Sequence, residues 1–205
     1  MQWNTIASDK TLEKTITALK ENGITAMVVE TSEEAKKKAL ELIPLGAEVM
    51  PMTSVTLNTI GVADVINNSG DYNSVRNKLN KLDRKTQSLQ MQKLGAAPEY
   101  TIGSVHAVTE DGKVVIASNT GSQLAAYVYG SEHVIWIVGA QKIVKNLDDA
   151  MARIYDYVLP LETKRGKKAF NLPNFVSNVS KLLIVNKEFN PNRITMILVK
   201  ESLGF

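Results

Sequence analysis

The sequence predicts an α/β fold: an open, mostly parallel sheet in three layers, with helices on both faces. Two observations lead to it, and a third suggests where a site lies. The first fifty or so residues alternate helical and strand patterns, which is how a parallel sheet covered by helices is built. Later segments such as His133–Val138 are short and strongly apolar, as buried strands are. Four stretches rich in hydroxyl, amide and glycine follow predicted strands, and ligands of open α/β sheets gather at the carboxyl ends of strands. The 205 residues are enough for one well-cored domain over 1–205.

Ser8 or Asp9 caps a first helix, whose Leu12, Ile16 and Leu19 form one apolar stripe. Gly23 stops it. Ile24–Val29 is a buried strand. Thr31 or Ser32 caps a second helix, with Glu33 and Glu34 in the first turn, where the helix dipole favours negative charge. A short strand around Glu48–Met50 ends at Pro51. Asp71 to Lys93 is predicted as one long helix, with Val75, Leu79, Leu82 and Leu89 inward and six basic side chains on its other faces. A solvated helix face is the reading given to that charge. Thr101–Val108 and Lys113–Ala117 form two strands around a Thr109-Glu110-Asp111-Gly112 hairpin turn. A short helix over Thr120–Tyr129, the strand His133–Val138 and a helix over Leu147–Val158 follow. Leu161–Ser180 is predicted as a loop or linker within the domain. Lys181–Asn186 and Ile194–Val199 are closing strands, joined through an Asn-Pro-Asn turn. Glycines recur every nine residues from Gly103 to Gly139, but the residues between them do not repeat, so they punctuate short elements.

Composition narrows the chemistry. The chain has no cysteine, which excludes disulfides, cysteine-ligated clusters, thiolate zinc and cysteine nucleophiles within it. A net charge of +3, from 24 basic and 21 acidic side chains, is too mild to suggest nucleic acid. No apolar run approaches the roughly 20 residues that span a bilayer. Met1-Gln2-Trp3-Asn4-Thr5 has no signal-peptide pattern, so a cytoplasmic setting is expected. Dinucleotide, Walker A and nucleophile-elbow motifs are missing. His106 and His133 lack metal-site spacing and are read as satisfied in sheet or loop.

The four polar stretches carry the candidate residues. Thr53, Ser54 and Thr56 lie in a hydroxyl-rich segment suited to an anion, with simple helix capping as the plainer alternative. His106 and Glu110 stand where paired acids beside a histidine offer acid–base chemistry or a carboxylate nucleophile. An ordinary turn is the plainer account of Glu110. Asn119, Thr120, Gly121 and Ser122 form a strand-to-helix junction that admits a ligand closely. Lys142 follows the apolar strand and offers a positive charge.

Ile102 to Gly112, Ser118 to Ser122, Val138 to Val144 and the ending Arg193 to Phe205 together resemble the LUD domain family, the lactate-utilization LutC/YkgG proteins. Thr53-Ser54-Val55-Thr56-Leu57 resembles that family's hydroxyl-rich loop. The resemblance implies a fold shared with coenzyme A transferases, ribose-5-phosphate isomerase (RpiA-like) and glucosamine-6-phosphate deaminase (NagB-like). It implies a part in oxidising L-lactate to pyruvate beside iron–sulfur oxidoreductase subunits. It also makes Glu110 a nucleophile candidate, because coenzyme A transferases place a glutamate before a similar glycine turn. Larger relatives carry ferredoxin-like cysteine motifs that this chain lacks. The expected partners are a small anionic metabolite, those iron–sulfur subunits and a second copy in a homo-oligomer. Neither nucleic acid nor membrane is expected, nor a cofactor or metal of the chain's own. Two other readings stand beside this one: a stand-alone transferase-like or sugar-phosphate isomerase-like enzyme using Glu110, and a non-catalytic regulatory module using the basic helix and the Lys164–Lys168 region.

Overall fold

Hydroxyl caps start the first two helices, as the sequence suggests. The computed structural model describes residues 3–205; Met1 and Gln2, at the start of the stretch scanned for a leader, lie outside them. Ser8 accepts from the Thr11 amide to open α1 (Asp9–Glu21), and Thr31 accepts from Glu34 to open α2 (Ser32–Glu41). Strands β1 (Thr25–Val29) and β2 (Glu48–Pro51) follow those helices. Next come α3 (Val55–Thr59), α4 (Val62–Asn68), β3 (Asn73–Ser74), α5 (Val75–Leu79) and α6 (Ser88–Ala96). Then come β4 (Tyr100–Gly103), β5 (Ala107–Thr109), β6 (Val114–Ser118), β7 (His133–Gly139) and β8 (Ile143–Val144). Helices α7 (Leu147–Arg153) and α8 (Leu159–Phe170) and strands β9 (Lys181–Val185) and β10 (Ile194–Val199) complete the order.

Six strands form the central sheet in the order β1-β10-β7-β4-β2-β3. Every pair in it is parallel. The expected three-layer α/β architecture is therefore present. Alternation along β7 shows why its strands are apolar throughout. Val134, Trp136 and Val138 face a core with Leu12 and Leu19 of α1, while Ile135 and Ile137 face one with Ala35, Ala39 and Leu57. A strand buried on both faces has no polar side to alternate.

A second, four-stranded sheet in the order β8-β5-β6-β9 was not anticipated. The single strand expected over Thr101–Val108 is instead two. Tyr100–Gly103 ends in the central sheet, the chain turns at Ser104–His106, and Ala107–Thr109 begins the second sheet. The predicted hairpin is real, with β5 and β6 antiparallel. Of the two closing strands, β10 enters the middle of the central sheet, whereas β9 pairs with β6.

Three helical expectations need correction. The long basic helix over 71–93 is two short helices with a break between Leu79 and Ser88. Asp83 causes the break: its carboxylate accepts from the Lys85 amide and the Thr86 hydroxyl, and its own amide donates to Gln87. Short polar side chains that bond the local backbone compete with a helix in this way. Leu89 is consequently exposed, and Met91 and Leu94 take up the packing. The helix expected over Thr120–Tyr129 starts later than expected, with Leu124 and Ala125 helical and a π-helical turn at Ala126–Gly130 after them.

The loop expected over Leu161–Ser180 is half helix, because α8 runs to Phe170. Pro160 suggests a stop, but a π-helical turn at Ile154–Val158 precedes it. That turn shifts the bonding by one residue and absorbs the proline's missing N–H within a continuing helix. Glu162 and Arg165 then pair one turn apart at 2.6 Å. Gly166 sits against Phe175 of the following loop.

Candidate functional site

Strands β2, β4, β7 and β10 deliver their following residues to one cleft of about 380 Å³. From β2 come Thr53, Ser54 and Thr56; from β4, Ser104 and His106; from β7, Lys142; and beyond β10, Phe205. The end of β6 supplies Asn119, Thr120 and Gln123 as a second wall. Glu162 and Arg165 of α8, with Phe170 and Phe175, close the third side. The chain reaches the cleft at Ser104 because Gly103 lets it pass Tyr127. A Cβ at Gly103 would lie 1.7 Å from the Tyr127 hydroxyl oxygen.

Lys142 is the deepest charge in the cleft, 2% exposed. A 3-10 turn after β7 carries it, and Gln141 anchors that turn through its side-chain amide to the Leu203 carbonyl at 3.0 Å. The Lys142 Nζ lies 3.1 Å from the Val105 carbonyl, 3.1 Å from Ser104 Oγ and 3.2 Å from Thr56 Oγ1. No carboxylate pairs with it among the described residues. Burial, reinforced by the charge of Arg153, brings its ammonium down to about 7.

Arg153 is a second buried cation, from the end of α7. Its Nη1 donates to the His106 carbonyl at 2.6 Å, and its guanidinium lies 5.3 Å from the centre of the Tyr157 ring. Its Nε has no partner among the described residues. Burial brings its guanidinium pKa down to about 10. His106 is held neutral, its imidazolium destabilised to about 3 by burial and then by Lys142 and Arg153. Nδ1 accepts from the Ala117 amide at 3.1 Å. In the neutral ring the proton is thereby assigned to Nε2.

Seven of the anticipated residues line the cleft together: Thr53, Ser54, Thr56, His106, Asn119, Thr120 and Lys142. Several also hold local structure. Ser54 caps α3, Thr56 donates to the Leu203 carbonyl, and Asn119 accepts from Ser180. Gly121 and Ser122 are outside the lining; Gly121 abuts Lys181 instead. Glu110 is not brought to the cleft either. It stays in the hairpin turn, and Lys14 of α1 holds its carboxylate at 2.7 Å. Asp111 next to it pairs with Lys113 and Thr109. Glu110 thus fastens the second sheet to α1, while the Asp111 carboxylate stays within the turn.

Sequence reasoning passed over Arg153 and Phe175, placed Arg165 only in the basic Lys164–Lys168 group, and did not select Ser104 from its polar stretch. Ser104 carried a signal, as a hydroxyl directly after a glycine at a strand end. Arg153 carried none, since a basic residue in a helix is ordinarily solvated. His133 lies at the opposite end of the sheet, stacked on Tyr100 at 4.5 Å. Among the described residues no group of three or more His, Asp or Glu side chains is arranged to hold a metal.

A family model described as the LUD domain matches residues 12–199. The chain belongs to the LUD domain family. This LUD domain is similar in fold to the crystal structure of a DUF162 family protein from Deinococcus radiodurans, with a TM-score of 0.57. The two share 11% identity, over 95% of this chain and 99% of that one. At that identity the likeness shows the fold alone. No curated protein matches the sequence.

Proposed function

We propose that this LUD domain binds a small anionic metabolite at the carboxyl ends of its central strands and supports organic-acid utilization, L-lactate to pyruvate. The observation that carries the reading is the pair of buried cations, Lys142 and Arg153, without a carboxylate partner beside a hydroxyl-lined cleft. Buried charge without a counter-charge is costly, and a bound anion offsets that cost. Thr53, Ser54, Asn119 and Thr120 supply the neutral donors around it. Family membership supports the link to lactate. Because the chain has no cysteine, the electrons of that oxidation pass through iron–sulfur subunits acting beside it in the cytoplasm. No helix among the described residues is long and apolar enough to cross a membrane.

Calorimetric titration with L-lactate, pyruvate and inorganic phosphate tests the reading, repeated on Lys142→Met. The expected result is saturable binding of at least one of these anions, weakened about tenfold or more in the variant, as loss of a charged hydrogen bond implies. Absence of binding by all three, or equal affinity in the variant, overturns it.

A further inference from the structure

The hydrogen bonds around Lys142 can be assigned one by one, and they leave one group free. The Val105 carbonyl oxygen only accepts, so Nζ donates to it at 3.1 Å. Thr56 Oγ1 spends its own hydrogen on the Leu203 carbonyl at 3.1 Å, so it too accepts from Nζ, at 3.2 Å. A neutral amine has two hydrogens and one lone pair. Both hydrogens are then used, and the lone pair is left for the third neighbour, Ser104 Oγ at 3.1 Å. Ser104 Oγ makes no other hydrogen bond among the described residues. Its hydroxyl is half-buried and lines the cleft.

From this arrangement we infer that Ser104 and Lys142 form a nucleophile–base dyad for acyl transfer, with a thioester or ester of a small acid as substrate class. The inference rests on the same cleft being the ligand site. It goes beyond anion binding, because it needs the lysine neutral. Three features favour the neutral amine: burial, the positive charge of Arg153 and the absence of a carboxylate partner. Its titration near 7 keeps both forms available at neutral pH. The charged form suits a free carboxylate, and the neutral form takes a proton.

The chemistry balances on these two side chains. Ser104 Oγ attacks the acyl carbonyl carbon, an O–C bond forms, and the hydroxyl proton passes to Lys142 Nζ. Collapse of the adduct breaks the bond to the thiolate or alkoxide, which leaves with the proton from Nζ. Water then attacks the acyl-serine, gives a proton to Nζ, and releases the acid and the serine hydroxyl. Nothing is oxidised or reduced. The charge that acts on Nζ is Arg153, the neutral His106 stands beside it, and the Glu162–Arg165 pair lines the same cleft.

A fluorophosphonate probe with peptide mass mapping tests the dyad. Phosphonylation of Ser104 is expected, at a rate that rises with pH through neutrality. Ser104→Ala should abolish the adduct. Lys142→Arg keeps a positive charge but has no lone pair to offer, and should slow labelling by about 100-fold or more. Thermal midpoints of both variants check that they fold, and labelling of the wild-type protein alone decides the case if they do not. A folded wild-type protein that leaves Ser104 unlabelled, or an unchanged rate in Lys142→Arg, overturns the dyad. Anion binding without labelling removes the dyad and leaves the binding reading intact. Labelling without anion binding does the reverse.

Discussion

Arg153 Nη1 donates to the backbone carbonyl of His106 at 2.6 Å, so the second buried cation is fixed to the corner where the chain crosses between sheets. That bond sets both the position of His106 and the field around Lys142. Replacing Arg153 by Met removes the charge and leaves the carbonyl without its donor. The Lys142 amine should then hold its proton more tightly, with its midpoint above the present value of about 7. The orphaned carbonyl should cost about 1–3 kcal/mol of stability. NMR titration of labelled lysine amines and urea unfolding read the two effects. An unmoved Lys142 midpoint counts against the coupling.

Acid should weaken the fold through His106. Its folded value of about 3 lies below the ordinary imidazole value of 6.5. Between those values the unfolded chain binds the extra proton, so stability is full above about 6.5 and falls as pH drops toward 3. The slope from one proton is at most about 1.4 kcal/mol per pH unit. Urea midpoints measured across that window should fall more steeply in the wild-type protein than in His106→Gln. Equal slopes would show that other groups govern the acid limb.

Arg193 ties three parts of the chain together. It pairs with Glu188 at 2.7 Å and donates to the carbonyls of Ala126, Tyr127 and Ser131. Both partners of the pair are at most 10% exposed. Arg193→Met leaves Glu188 unpaired and should cost about 3–5 kcal/mol. The double change Arg193→Met with Glu188→Met should recover part of that loss, and denaturant unfolding of all three variants measures it.

Gly166 governs the wall made by α8 and the loop behind it. An alanine there gains about 1 kcal/mol of helix propensity, but its Cβ would lie 2.2 Å from the Phe175 ring. Phe175 belongs to a surface loop outside the packed cores, with Leu172 and Val176 beside it exposed. The global thermal midpoint of Gly166→Ala should therefore change little, while protease cleavage within 171–180 becomes faster. Unchanged cleavage would mean that the helix, not the loop, yields.

The break in the expected basic helix also has a stability signature. Leu79→Ala removes a buried side chain and should cost about 2–5 kcal/mol. Leu89 is 62% exposed, so Leu89→Ser should stay within about 0.5 kcal/mol. Thermal unfolding of the pair distinguishes this from one continuous stripe, in which both would matter.

Much of the architecture was legible because it depends on local rules. Ser8 and Thr31 cap helices with their own oxygens. The buried strands β7 and β10 announce themselves by the apolar runs Val134–Val138 and Met196–Val199. Convergence of Thr53, Asn119 and Lys142 was readable from topology, since each follows an expected strand. What escaped depends on partners distant in sequence. Ser104–His106 is the corner between two sheets because β5 pairs with β6 and β8, which the local pattern of Thr101–Val108 does not encode. Glu110 has the right residue type beside the right glycine, yet Lys14, 96 positions away, holds it elsewhere. The π-helical turn before Pro160 hid a helix behind a proline that usually ends one.

Strand β10 has a consequence for how the molecule assembles. It lies between β1 and β7, pairing Thr25 with Thr195 and Val134 with Ile194. Until residues 194–199 leave the ribosome, β1 and β7 have no shared neighbour, and each presents an unpaired edge. The sheet is thus closed by insertion of a late segment into its middle, not by growth from one side. Contacts of that sequence separation form slowly. The nascent chain passes through a period in which β1 and one edge of the strongly apolar β7 are open to pairing with another copy.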